Sequence, residues 1–170
     1  MDAVEAVRRT VHHAHNWYQG TVADVTEAQA NVVPAGVTHP IGELAAHIVQ
    51  GEDRIVNQML QGKPTIWERD GWSAKLGGMP ELVYHDTATA RSVKVNPKSL
   101  QGYTQAVYAS VDSYLDGLQP ADLDREVDMG PGGKMTVADL LTNILCGNTF
   151  AHTGEISALK GLQGAKGYPF

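Results

Sequence analysis

Apolar residues recur at helical spacing in four stretches of the chain, and the residues between them supply the stops. Val4, Val7, Val11, Ala14, Tyr18 and Val22 form an a/d heptad seam that predicts a first helix from about Asp2 to Val25. The connection TEAQANVVPAGVTHP follows. Pro40 suits the first turn of a second helix running to about Gln61, with Ile41, Leu44, Ile48, Ile55 and Met59 inward. Gly62 and Pro64 stop it. Asn96-Pro97 reads as an N-cap followed by proline at the first helical position, and opens a third helix on Leu100, Tyr103, Val107, Val111, Tyr114 and Leu118 that ends at Pro120. LDREVDMGPGGKM then reads as a loop with a tight turn at Pro131-Gly132-Gly133. Thr136 and Asp139 stand at capping-box spacing at the head of a fourth helix reaching about Lys160. Four helices of about 20 residues predict one all-α domain over residues 1–170, an up-down four-helix bundle.

One connection stands out. From Lys63 to Val95 the chain has no sustained period, although long loops are uncommon in compact domains unless functional. It carries WERDGW, and Trp67 and Trp72 are costly to leave in water. The segment is therefore expected to pack across the bundle, either capping the end of the core or covering a pocket.

The fourth helix interrupts its own apolar stripe. In NTFAHTGEISALKGL, Asn148, His152 and Glu155 fall at i, i+4 and i+7, on the face that also carries Val137, Leu141, Ile144, Leu145, Ile156 and Leu159. The second helix places His47 between Leu44 and Ile48, bordering a polar stripe of Glu43, Gln50, Arg54 and Gln58, so that it faces either the core edge or water. If the two helices are neighbours, His47 and His152 point into one space. Two imidazoles and an oxygen donor on rigid helices suit a divalent ion with positions left open. A histidine on an apolar face is otherwise a hydrogen-bonded core residue. Glu155 has two roles open to it: accepting from a histidine behind the ligands, or pairing with a lysine or arginine at the bundle end.

Composition narrows the remaining chemistry. A net charge of −6 with scattered basic residues argues against a nucleic-acid partner. No apolar run approaches the roughly 18 residues of a membrane span, and MDAVEAVRRT lacks the apolar stretch of a signal peptide, so a soluble, cytoplasmic protein is expected. The single cysteine, Cys146, excludes an internal disulfide and reads as a small packed thiol rather than a nucleophile. His12, His13 and His15 cluster in sequence but diverge on a helix and lack acidic neighbours, so surface or rim placement is expected. His39 lies in a turn and His85 in the long connection. No phosphate loop, nucleophile elbow or HExxH motif is present.

LAAHIVQGEDRIVNQML in the second helix and NTFAHTGEISALKGLQGAKGYPF at the end of the chain resemble the DinB-like superfamily of metal-binding four-helix bundles, as do WERDGW and PAGVTHPIGELAAH. The resemblance spans nearly the whole chain. It implies an up-down bundle with a long crossover between helices two and three, often a homodimer. It also implies a metal site with one histidine from the second helix, matching His47, and an H-x3-H pair in the fourth, whose second member matches His152. The first member falls on Asn148, a departure that substitutes a weaker amide donor for an imidazole toward zinc or nickel. Related thiol-dependent isomerases place a carboxylate there. Family members of known activity include transferases and isomerases that use low-molecular-weight thiols such as mycothiol or bacillithiol.

Two functional readings follow. In the first, the protein is a metal-dependent enzyme, a thiol S-transferase acting on a small electrophile, with His47, Asn148 and His152 holding the ion beneath the Trp67 to Trp72 loop. In the second, it is a noncatalytic bundle that binds a small ligand or dimerises around a degenerate site.

Overall fold

The computed structural model describes residues 1–82 and 87–170, and four long helices dominate it. Helix α1 (Ala3–Val22) starts where the Asp2 carboxylate accepts the Glu5 N–H at 2.8 Å. It ends three residues before Val25. Thr26 and Gln29 then form a reciprocal capping box around a one-turn helix, Glu27–Ala30, within the stretch read as a connection. Helix α2 (Ile41–Asp53) has Pro40 as its N-cap rather than its first helical residue, and continues as a π-helical stretch, Arg54–Leu60. Gly62 at φ +65° closes it. Helix α3 (Pro97–Gly117) opens as expected, with the Asn96 side chain accepting the Lys98 and Ser99 N–H groups. Helix α4 runs from Val137 to Leu162 in three parts: Val137–Asp139, a π-helical Leu140–Cys146, and Gly147–Leu162.

The seams predicted from periodicity form the core. Val11, Ala14, Ile48, Val107, Val111, Leu141 and Ile156 are all fully buried. Val22, Met59 and Tyr114 are half-buried at the edge of that core, and Ile144 departs furthest. It was expected on the core face of α4 and is 38% exposed, because it sits in the π-helical stretch, where each residue turns through less than the 100° assumed. The GPGG loop also differs from expectation: it closes a short antiparallel hairpin of β1 (Glu126–Asp128) and β2 (Lys134–Thr136), with Val127 opposite Met135.

Residue pairs give the direction of each helix. His15 meets Glu52 and Tyr18 meets Ala45, so α1 and α2 are antiparallel. Glu52 meets Thr149 and His47 meets His152, so α2 and α4 are antiparallel. Asp53 meets Tyr103 and Asn57 meets Ser110, so α2 and α3 run the same way. Parallel neighbours need the chain to travel back along the bundle, about 30 Å for a 20-residue helix, and the long crossover between α2 and α3 does this.

The crossover packs across the bundle, as two tryptophans demanded. It contains short helical turns at Ile66–Arg69, Trp72–Lys75 and Thr87–Ser92. The Trp67 and Trp72 rings lie against Tyr103 of α3, at centroid distances of 5.3 and 5.5 Å. Asp53, fully buried, accepts the Ile66 and Trp67 N–H groups and so pins the first turn to α2. At the other end of the chain the tail folds back on α1, where Gly20 leaves room for Pro169: a Cβ there would lie 2.9 Å from the proline ring. Among the described residues no helix is long and apolar enough to cross a membrane.

Candidate functional site

The two histidines expected to meet do so. His47 of α2 and His152 of α4 face each other across the antiparallel seam, with ring centroids 5.0 Å apart and planes at 83°. Each ring is oriented through its Nδ1. In His47, Nδ1–H donates to the Leu82 carbonyl at 3.0 Å; in His152, Nδ1–H donates to the Glu155 carboxylate at 2.8 Å. A proton on Nδ1 leaves the lone pair of the neutral ring on Nε2. Carbonyl or carboxylate acceptors behind Nδ1 are the arrangement that orients metal-binding histidines. Two imidazoles on one tetrahedral zinc, with Zn–N near 2.0–2.1 Å, bring their centroids about 5 Å apart, which matches the observed spacing.

Asn148 completes a four-cornered patch. Gly51 lies one turn beyond His47 on α2, and Asn148 lies one turn before His152 on α4. Antiparallel pairing sets Gly51 against Asn148 as it sets His47 against His152. A Cβ on Gly51 would come 3.7 Å from the Asn148 amide nitrogen. All four residues are half-buried, so the patch lies at the edge of the core. Glu155 is exposed and takes the supporting role, accepting from His152. Among the described residues no group of three histidine, cysteine, aspartate or glutamate side chains is arranged as a metal-ligand set, and His85 lies outside the described residues.

The part of the crossover that reaches this patch is Pro80–Leu82, not WERDGW. The Gln50 amide holds that segment, accepting the Leu82 N–H at 2.5 Å and donating to the Pro80 carbonyl at 3.3 Å. Gln50 and Glu43, read from spacing as part of a polar stripe, are both buried. Glu43 pairs with His39 at 2.9 Å.

A second polar cluster lies in the core, and sequence reasoning missed it. His15 was expected at the surface or rim. It is buried, with Nε2 2.8 Å from Glu52, itself buried, and its ring stacked on Tyr108 at 3.6 Å. Thr149, next to Asn148, donates to the other Glu52 oxygen at 2.8 Å. The acids lacking near these histidines in sequence come from other helices: Glu52 for His15, and Asp112 for His12 at 3.0 Å. His13 remains exposed, edge-on to Trp17 and tilted against Phe150. Burial, with the Glu52 charge adding to it, pushes the Cys146 thiol up to about 12, so Cys146 is the packed thiol expected. A cavity of about 470 Å³ is lined by residues such as Tyr18, Ile41, Ala45 and Leu100, away from the histidine pair.

A family model described as the DinB superfamily matches residues 8–156. Among solved structures, a conserved protein from Enterococcus faecalis aligns with a TM-score of 0.80 at 23% identity, covering 95% of this chain and 97% of that one. Mycothiol-dependent maleylpyruvate isomerase aligns at 0.58 and 13% identity, and a histidine-to-alanine mutant of it at 0.61 and 14%. In both cases 89% of this chain is covered, and the chain spans 59% of the isomerase. At these identities the structural likenesses speak to the fold alone. No curated protein matches the chain.

Proposed function

This chain belongs to the DinB superfamily, and from that premise we propose a metal-dependent enzyme that transfers a small thiol to a small electrophile, with His47, Asn148 and His152 holding a divalent ion. The observation that carries this reading is the opposition of two imidazoles at 5.0 Å, each with its Nδ1 engaged from behind. Two neutral imidazoles and one amide oxygen fit zinc or nickel, and three protein donors leave positions for outside ligands. Such an ion, when bound, lowers the pKa of a coordinated thiol so that it serves as a thiolate near neutral pH. The chain's own residues orient and exclude. Leu82 and Glu155 fix the two ring tautomers, and the Gln50 clamp seats Pro80–Leu82 beside His47. Cys146 is not the nucleophile, since burial keeps it protonated. The thiol therefore comes from solution, a use for which a mycothiol-dependent isomerase of similar fold is a precedent.

Elemental analysis of protein purified without a histidine tag tests the proposal. Stoichiometric metal is expected in the wild type and its loss in His152→Ala; no metal in either would overturn it. A second reading, a noncatalytic bundle that binds a small ligand, is favoured by one observation: among the described residues no three histidine, cysteine, aspartate or glutamate side chains are arranged as a metal-ligand set. Asn148→His separates the two. A third imidazole should raise metal affinity tenfold or more at a metal centre, and unchanged uptake would favour the binding bundle. We also propose a homodimer, which sedimentation equilibrium would refute by returning the 18.3 kDa of one chain.

A further inference from the structure

We infer that Gln50 is a positioning residue that couples the seating of the crossover segment Pro80–Leu82 to ion occupancy at His47. The inference rests on the metal reading above. Gln50 lies one turn beyond His47 on α2 and is 1% exposed. A buried amide needs partners, and this one finds both in the crossover: its Oε1 accepts the Leu82 N–H and its Nε2 donates to the Pro80 carbonyl. Leu82 is thereby held at both ends of its backbone, its N–H by Gln50 and its carbonyl by His47 Nδ1–H. Its side chain is fully buried and anchors the segment a third time.

The geometry makes His47 dependent on a segment more than 30 residues away in sequence. Without the Gln50 clamp, the Leu82 carbonyl is no longer fixed behind Nδ1, and the hydrogen bond that favours a proton on Nδ1, and with it a lone pair on Nε2, is weakened. The dependence runs both ways. An ion drawing electron density through the imidazole makes Nδ1–H a stronger donor and tightens its hold on Leu82, as linkage requires.

Two measurements test this. In the first, zinc is titrated in competition with a chromophoric chelator against the wild type, Gln50→Met and Leu115→Ala. Gln50→Met keeps the volume and removes both hydrogen bonds. Leu115→Ala destabilises the core near the C-terminal end of α3. Gln50→Met should bind zinc ten- to a hundredfold more weakly, while Leu115→Ala keeps wild-type affinity, so that loss of stability alone does not account for the effect. In the second, hydrogen exchange at the Leu82 amide is followed with and without zinc. Exchange should slow with zinc in the wild type and be unchanged by it in His47→Ala. Wild-type affinity in Gln50→Met, or a Leu82 amide indifferent to zinc in wild-type protein that binds it, overturns this inference and leaves the metal reading standing. A wild type that takes up no zinc or nickel overturns both.

Discussion

Replacing Asp53 with alanine should detach the start of the crossover and cost about 4 kcal/mol, for reasons that can be counted. The carboxylate is fully buried and accepts four hydrogen bonds. One oxygen takes the Ile66 N–H at 2.9 Å and the Asn57 amide at 2.8 Å; the other takes the Trp67 N–H at 2.9 Å and the Tyr103 hydroxyl at 2.7 Å. Burial and the neighbouring Asp53 charge push the Tyr103 hydroxyl far up, so it stays a donor under all ordinary conditions. Alanine leaves four buried donors without this acceptor, at roughly 1–3 kcal/mol each when nothing replaces it. The vacated volume suits about one water, which would satisfy part of that set and bring the sum down to about 4 kcal/mol. This is near the top of the range for single substitutions and a large part of the ~5–15 kcal/mol that holds a domain together. Urea unfolding followed by both circular dichroism and tryptophan fluorescence is the assay. Trp67 and Trp72 rest on Tyr103, so their emission should shift to the red at lower urea than the loss of helix, as the crossover opens first. Two coincident transitions displaced by less than about 1 kcal/mol would refute the view that Asp53 anchors the crossover.

Other expectations follow from the same contacts. His15→Ala leaves the buried Glu52 carboxylate with the Thr149 hydroxyl but without its imidazole and should cost about 3 kcal/mol; pairing it with Glu52→Gln should recover more than about 1 kcal/mol in a double-mutant cycle, and strict additivity would argue against coupling. Gly51→Ala places its methyl at ordinary contact distance from Asn148 and should stabilise α2 by up to about 1 kcal/mol, whereas Gly51→Ile should displace the Asn148 amide and weaken zinc binding in the chelator titration. Cys146, Tyr18, Tyr103 and Tyr108 are all raised by burial, so the unfolded chain releases their protons at lower pH than the folded one. Stability is then complete below about pH 8.5, where these groups are protonated in both states, and falls as pH rises above it. Urea midpoints at pH 8 and pH 10 measure the fall, and Cys146→Ala should make it shallower.

What was legible in the chain is what a single helix can encode. The four long helices, the Asn96-Pro97 start and most of the inward seams depend on contacts within a few residues, and they appear close to where periodicity puts them. Ile144 departs because a π-helical stretch breaks the uniform 100° step, and nothing in the residue types of LLTNILC announces that break. The buried state of Gln50 and Glu43 was hidden for a different cause. A polar stripe on a helix reads as a wet face until another segment is known to cover it, and here the Gln50 cover is Pro80–Leu82, about 30 residues downstream. His15 and Glu52 are the same problem across two helices, since each looks like a surface residue until the register of α1 on α2 brings them together.

The histidine pair escaped this difficulty because its spacing is local twice over. Asn148 and His152 share one face of α4 at i and i+4, while His47 and Gly51 share one face of α2 at the same interval, so any antiparallel register that joins one corner of the patch joins the other. Only one non-local quantity, the register itself, had to be supplied by the fold. The groups that hold the rings divide along the same line: Glu155 is three residues from His152 and was visible as a candidate, whereas Leu82 is 35 residues from His47 and acts through a backbone carbonyl, which no side-chain identity could advertise. The meeting of two histidines can therefore be read from a helix wheel, while the group that orients each ring is readable only when it too lies within a turn.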